Sequence, residues 1–220
     1  MCDARLFGPQ IAAFKDEHGG PYCIPAMENT MADMARSVLA AAPRRFALCG
    51  LSMGGILALE VVRQAPERVE RLALLDTTAR TDSPKNHAVR TRQIEDVLAG
   101  RLDAVMRDEL KPAYLADGPQ KPALLDLCLD MARSLGPQVF EAQSLALRDR
   151  ASYTDMLGDI DVPTLVLCGA EDRLCPPKLH EELHAAIRGS KLVIIENAGH
   201  LPTLEQPAPT NAALKTWLEG

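Results

Sequence analysis

Three side chains that could share one piece of chemistry each stand just beyond a short apolar run. Ser52 follows Phe46-Ala47-Leu48-Cys49, within Gly50-Leu51-Ser52-Met53-Gly54. Asp172 follows Thr164-Leu165-Val166-Leu167-Cys168, within Gly169-Ala170-Glu171-Asp172. His200 follows Leu192-Val193-Ile194-Ile195, within Glu196-Asn197-Ala198-Gly199-His200. A fourth group, Asp76, ends the run Leu72-Ala73-Leu74-Leu75. A hydroxyl, an imidazole and a carboxylate can make a nucleophile relay. The imidazole takes the hydroxyl proton during attack, and the carboxylate fixes its tautomer and steadies its charge.

The setting of Ser52 sharpens this reading. A Gly-x-Ser-x-Gly sequence alone is usually only a turn. Here an apolar run precedes it, and Ile56, Leu59 and Val62 follow on one helical face. Strand, sharp turn and helix with a serine at the apex form a nucleophile elbow. Side chains two residues before and two after the serine are expected to collide with the neighbouring backbone, hence the glycines. The Met53 N–H, at the start of the helix, is the expected oxyanion donor.

The elements that must position these groups alternate. Arg5 to Phe14 reads as a short helix, Tyr22-Cys23-Ile24 as a brief strand, and Asn29 as the cap of a helix running to about Ala41. Elbow strand, helix to Gln64 and the Leu72–Leu75 strand follow. From Ser83 to about Ala151 there is no strand-like run, only helical periodicity near 85–99, 102–115, 123–135 and 138–148. The Leu165 and Leu192 runs are continuously apolar, as in parallel strands covered on both faces. Pro177 to Ile187 and Ala208 to Leu218 complete the helices. This order predicts an α/β fold with a doubly wound, mostly parallel sheet. Residues 1–77 and 156–220 form the expected core, and 78–155 an inserted helical cap. Ligands of such sheets gather beyond the C-terminal strand ends, where all four candidate groups lie.

The elbow GLSMGG, the segment PTLVLCGAEDRLCPP and the segment NAGHLPTLEQP together resemble α/β-hydrolase-fold enzymes. The likeness spans nearly the whole chain, with three motifs in the order Ser, Asp, His. It implies Ser52 as nucleophile, His200 as general base and then acid, and Asp172 as the orienting carboxylate, with Asp76 as the alternative acid. It further implies hydrolysis of an ester or related acyl bond without metal or cofactor, while the aliphatic cap residues Leu102, Val105, Met106, Leu110, Leu124, Leu127 and Leu129 suit a small, mostly apolar acyl or alkyl group, or simply hold the cap helices together. Lactonase, acyl-carrier methyl esterase and C–C hydrolase activities use the same triad and stay open. A ligand-binding protein that has lost catalysis is the alternative from another class. In resembling enzymes a strand and a Pro-Gly or His-Gly loop precede the segment that here reads CDARLFGPQ, and that loop supplies a second oxyanion N–H. Without it the expectation is weak turnover, lower by about 10²–10³ for one lost donor, an exposed sheet edge and poor solubility.

Composition narrows the partners. The chain has 220 residues, 47% hydrophobic and 25% charged, so it can bury a sizeable core. Its net charge of −6, with cations scattered, argues against nucleic acid or an anionic membrane surface as partner. No N-terminal basic and apolar leader and no uninterrupted apolar span are read, so the expected location is cytoplasmic. The cysteines form no C-x-x-C pair and read as reduced thiols, with Cys23, Cys49 and Cys168 in buried strands. His180-Glu181-Glu182-Leu183-His184 matches the H-E-x-x-H zinc pattern, with Glu205 downstream. Its helix buries Leu179, Leu183 and Ile187, which leaves the two histidines on a flank and argues against a metal. His18 and His87 read as surface residues.

Overall fold

Four apolar runs become the strands β1 (Phe46–Leu51), β2 (Val69–Leu75), β3 (Thr164–Gly169) and β4 (Lys191–Ile195). In the computed structural model, which describes residues 1–17 and 19–220, they form one sheet in the order β1-β2-β3-β4, with each neighbouring pair parallel. The register pairs Leu48 with Leu72, Leu74 with Val166 and Leu167 with Val193. Parallel strands need a crossover between them, and the helices supply it. They are α1 (Gly8–Phe14), α2 (Met31–Ala41), α3 (Met53–Gln64), α4 (Pro84–Asp96), α5 (Leu102–Ala104), α6 (Lys121–Arg148), α7 (Pro177–Ala186), α8 (Pro202–Glu205) and α9 (Pro207–Glu219).

The period-2 alternation of each strand divides the core in two. Leu72, Leu74 and Val166 face a layer built from α2, α3 and α7, including Met34, Val38, Leu59 and Leu183. Ala73, Leu75, Leu165 and Leu167 face the other layer, where Phe14 of α1 and Leu214 and Trp217 of α9 pack. Helices thus cover both faces of β3, whose residues are all buried, but β2 carries Glu70 and Arg71 near its start, and the edge strand β4 leaves Ile194 40% exposed, against the expectation that the Leu192 run is covered on both faces.

The excursion between β2 and β3 holds helices joined by loops and no strand, with α6 kinked where Gly136 takes φ 82 ahead of Pro137. Ile94, Val97, Met106, Ala132 and Phe140 bury one another in a third core. Where the excursion leaves and rejoins the sheet, its ends are stitched together. Tyr153 N–H donates to Ala79 O at 2.7 Å, and the Thr81 hydroxyl donates to Arg150 O at 3.0 Å. Buried Asp82 accepts from Arg90 Nε at 2.6 Å and from Asn86 Nδ2 at 2.8 Å, and lies 3.6 Å from Arg150.

Several local expectations are corrected. Tyr22–Ile24 is not a strand, and Cys23 is exposed. A three-residue run forms a strand only beside an edge to pair with, and β1 bonds β2 alone among the described residues. Cys49 is half-buried on that edge strand, and only Cys168 of the three is buried. Thr30, not Asn29, caps α2, its hydroxyl accepting from Asp33 N–H at 3.1 Å. His87 is half-buried, and His18 lies outside the described residues. Among the described residues no helix is long and apolar enough to cross a membrane.

Candidate active site

Every parallel strand points its C-terminal end the same way, so the residue after each strand arrives at one edge. Ser52 follows β1, Asp76 follows β2, Asp172 lies in the turn after β3, and His200 in the turn after β4. Ser52 takes φ 55 and ψ −116, a left-handed conformation that costs a non-glycine residue about 1–3 kcal/mol. Its surroundings hold it there. Ser52 N–H donates to Leu75 O at 2.9 Å, and the Thr77 hydroxyl donates to Ser52 O at 2.7 Å.

Of the two glycines expected to avoid a collision, Gly50 does so and Gly54 does not. A Cβ on Gly50 would sit inside the Gly54 backbone, so Gly50 is needed for the close approach. Gly54, the second glycine of the motif, has open space around it, because the first turn of α3 presents that position away from the strand. The crowded glycine on the helix is Gly55, whose Cβ would lie 2.6 Å from the Thr77 side chain. Met53 begins α3, so its N–H has no acceptor within the helix and is free to meet an oxyanion.

His200 Nε2 lies 2.8 Å from Ser52 Oγ, and His200 Nδ1 lies 2.8 Å from Asp172 Oδ2. The other oxygen of Asp172 accepts the N–H groups of Leu174 at 2.8 Å and Cys175 at 3.0 Å. Asp172 is therefore both an acceptor for the imidazole and the organiser of its own turn. Its burial and that of His200, each 3% exposed, shield the pair from water. Gly169 makes this turn possible, since a Cβ there would overlap the Ala198–Gly199 backbone.

Asp76 is fully buried with φ 45, and its Oδ1 accepts Gly169 N–H at 2.9 Å. No hydrogen bond joins it to His200, so the geometry sets Asp172 and not Asp76 on the imidazole. Its Oδ2 has no hydrogen-bond partner among the described residues. Burial, then the nearby charge of Asp172, pushes the Asp76 carboxyl well above the usual range.

The zinc-like pattern comes apart in three dimensions. His180 is fully buried rather than flanking, and its Nε2 accepts Thr77 N–H at 2.9 Å. Burial lowers its pKa to about 4, so it is neutral. His184 is exposed, with Nδ1 2.8 Å from Ser190 Oγ. Glu205 is occupied by backbone N–H groups of Ala116, Gly199 and Leu201. Asp172, Cys175 and His200 do offer ligand atoms within 4.8 Å of one another, but the first and last are already bonded to each other.

A family model described as "Alpha/beta hydrolase family" matches residues 3–213. The chain belongs to the alpha/beta hydrolase family. Its sheet and flanking helices are those of that fold, and it is an enzyme of that hydrolase family. It is 28% identical over 181 residues to a pimeloyl-[acyl-carrier protein] methyl ester esterase of Neisseria meningitidis, covering 79% of this chain and 69% of that one. It is 28% identical over 208 residues to a putative carbamate hydrolase of Klebsiella pneumoniae, covering 92% and 77%. Among solved structures it is similar to a thermophilic esterase from Thermogutta terrifontis, with TM-score 0.90 and 29% identity over 99% of this chain and 86% of the other. All three relatives are named as hydrolases of esters or related acyl bonds.

Sequence reasoning overlooked the groups that brace this candidate site. Thr77 touches Gly55 and bonds both Ser52 and His180. Tyr114 accepts His200 N–H on its carbonyl at 2.7 Å, and its ring lies 5.9 Å from the imidazole centroid. Nothing in the local pattern marks Tyr114. Thr77 carried a signal, since it stands two residues beyond the end of β2, next to Asp76.

Proposed function

We propose that this chain is a serine hydrolase that cleaves a carboxylic ester or related acyl bond through Ser52, His200 and Asp172. The observation that carries the reading is the unbroken relay of two 2.8 Å contacts, from Ser52 Oγ to His200 and from His200 to Asp172. Ser52 Oγ attacks the carbonyl carbon while His200 Nε2 takes its proton. The carbonyl electron pair moves to oxygen, and the Met53 N–H donates to that oxyanion. Collapse expels the alcohol, which receives the proton from His200, and leaves an acyl-Ser52 ester. Water, deprotonated by His200, attacks this ester in turn, and Ser52 leaves with the proton as the acid is released. Asp172, bonded to Nδ1, orients the imidazole and steadies the imidazolium.

The substrate is a small, mostly apolar ester. Leu124 and Leu127 support this, since they keep partial exposure while Val105, Met106 and Leu129 are enclosed in the helical segment's own core. Residues 78–155 serve as a cap on the core formed by 1–77 and 156–220. Their separate apolar core and their stitched ends support that division. The free thiols of Cys2, Cys23, Cys49, Cys128, Cys168 and Cys175 support a reducing, cytoplasmic setting.

The test is active-site labelling with a fluorophosphonate probe. The folded wild type should take one equivalent and Ser52→Ala none. A folded wild type that takes no label refutes the serine mechanism and leaves a ligand-binding role on this fold. A panel of p-nitrophenyl esters of increasing acyl length then defines the acyl group.

A further inference from the structure

Glu205 is the last residue of α8, is 8% exposed, and lies five positions beyond His200. Its carboxylate gathers three backbone N–H groups. Oε1 accepts from Gly199 and Leu201, each at 3.0 Å, and Oε2 accepts from Gly199 at 3.0 Å and from Ala116 at 2.8 Å. Two of these donors are the residues on either side of His200. The third belongs to the helical excursion. His200 N–H itself donates to Tyr114 O at 2.7 Å, in the same stretch as Ala116. Gly199 closes the contact, because a Cβ there would lie 2.7 Å from Ala116 N and 2.8 Å from Tyr114 O.

We propose that Glu205 is a positioning residue for His200 and that it couples the loop of the general base to the Tyr114–Ala116 segment of the helical excursion. The carboxylate touches neither Ser52 nor Asp172, so it acts only through the backbone around His200. Both oxygens are needed as acceptors. A glutamine at 205 sets an amide N–H₂ against one of the three N–H donors, and an unpaired buried donor displaces the loop. The arrangement also gives the helical excursion a direct hold on the base, so a ligand that shifts Tyr114–Ala116 shifts His200 with it.

This inference rests on His200 serving as the base, and its test separates the two. E205Q and E205D are compared with the wild type for kcat per fluorophosphonate-titrated site and for KM. E205Q is expected to lose about 10- to 100-fold in kcat per titrated site with little change in KM. E205D, which keeps two acceptor oxygens at a shorter reach, should recover part of kcat. A merely structural role would lower the titratable fraction and leave kcat per site unmoved, and that result overturns the proposal. If E205Q does not fold, the downfield proton resonance of the His200 Nδ1–H in E205D decides. A shifted or broadened signal supports positioning, and an unchanged signal with wild-type kcat refutes it. Because the resonance needs no turnover, it reports on positioning even if Ser52 takes no label.

Discussion

His180 Nε2 accepts the Thr77 N–H at 2.9 Å, and this bond ties the helix before β4 to the backbone behind the Ser52 turn. An acceptor there must be an unprotonated nitrogen. The imidazole pKa, lowered by burial from 6.5 to about 4, keeps it so. The folded state therefore binds fewer protons at this site than the unfolded state. Its contribution is complete above about pH 6.5 and is lost progressively as pH falls from there toward 4, amounting to about 3 kcal/mol. His180→Gln, whose amide oxygen can still accept from Thr77, should flatten that loss. Urea unfolding at pH 7 and pH 5 measures it, and an equal drop in the two proteins would sink the assignment.

The two carboxylates near the imidazole should respond oppositely to the same substitution. Asp172→Asn should lower kcat by about 10⁴, since the amide favours the wrong imidazole tautomer. Asp76→Asn should stay within about tenfold of wild type, because Asp76 bonds Gly169 and not His200. A large loss in Asp76→Asn with a small one in Asp172→Asn would reverse the roles.

Asp76 also makes a stability prediction with a definite sign. Its folded carboxyl is raised well above the ordinary range, by burial first and the Asp172 charge second. Its stabilising contribution is complete below about pH 4 and is lost as pH rises through the raised folded value. Asp76→Asn should therefore gain on the wild type as pH rises. Asparagine also tolerates the φ of 45 at this position. Thermal melts from pH 5 to pH 9 test this, and a constant difference contradicts it.

The glycines of the elbow should rank in an order that the motif alone does not give. Gly54→Ala should keep or raise the melting temperature, since its Cβ meets open space and alanine gains up to about 1 kcal/mol of helix propensity. Gly50→Ala and Gly55→Ala should destabilise by about 1–3 kcal/mol or fail to fold, because backbone and Thr77 respectively stand in the way. Melting temperatures of the three variants decide, and equal losses would refute the ranking.

Asp82 predicts an acid-labile seam at the base of the helical excursion. Its burial favours the neutral acid, but bonds from Arg90 and Asn86 outweigh that and hold its carboxyl below the usual range. The contribution is present above about pH 4 and lost as pH falls through the lowered folded value. Asp82→Asn should weaken the protein at neutral pH, with the gap to wild type closing in acid. Hydrogen exchange at residues 79–82 and 150–153 should show the opening, and unchanged exchange there would exclude this role.

The sequence by itself determined the layered fold and the edge where chemistry gathers. Short apolar runs bounded by turn residues, such as Leu165–Cys168, read as strands, and parallel strands deliver Ser52, Asp76, Asp172 and His200 to the same end. Such patterns are local, so they survive reading along the chain. The tertiary structure decided what depends on distance between remote segments. Asp76 and Asp172 both follow strands of the same sheet, yet only the turn after β3 carries its carboxylate to His200. Tyr22–Ile24 has strand-like residues but no hydrogen-bonded neighbour, and a strand exists only with one. Glu205 and His180 looked like parts of a metal pattern because their spacing is local. Their actual partners, at Ala116, Gly199, Leu201 and Thr77, are set by how the excursion and the β4 turn pack together. A buried polar group must find a partner wherever packing puts one, and that choice is made by the fold as a whole.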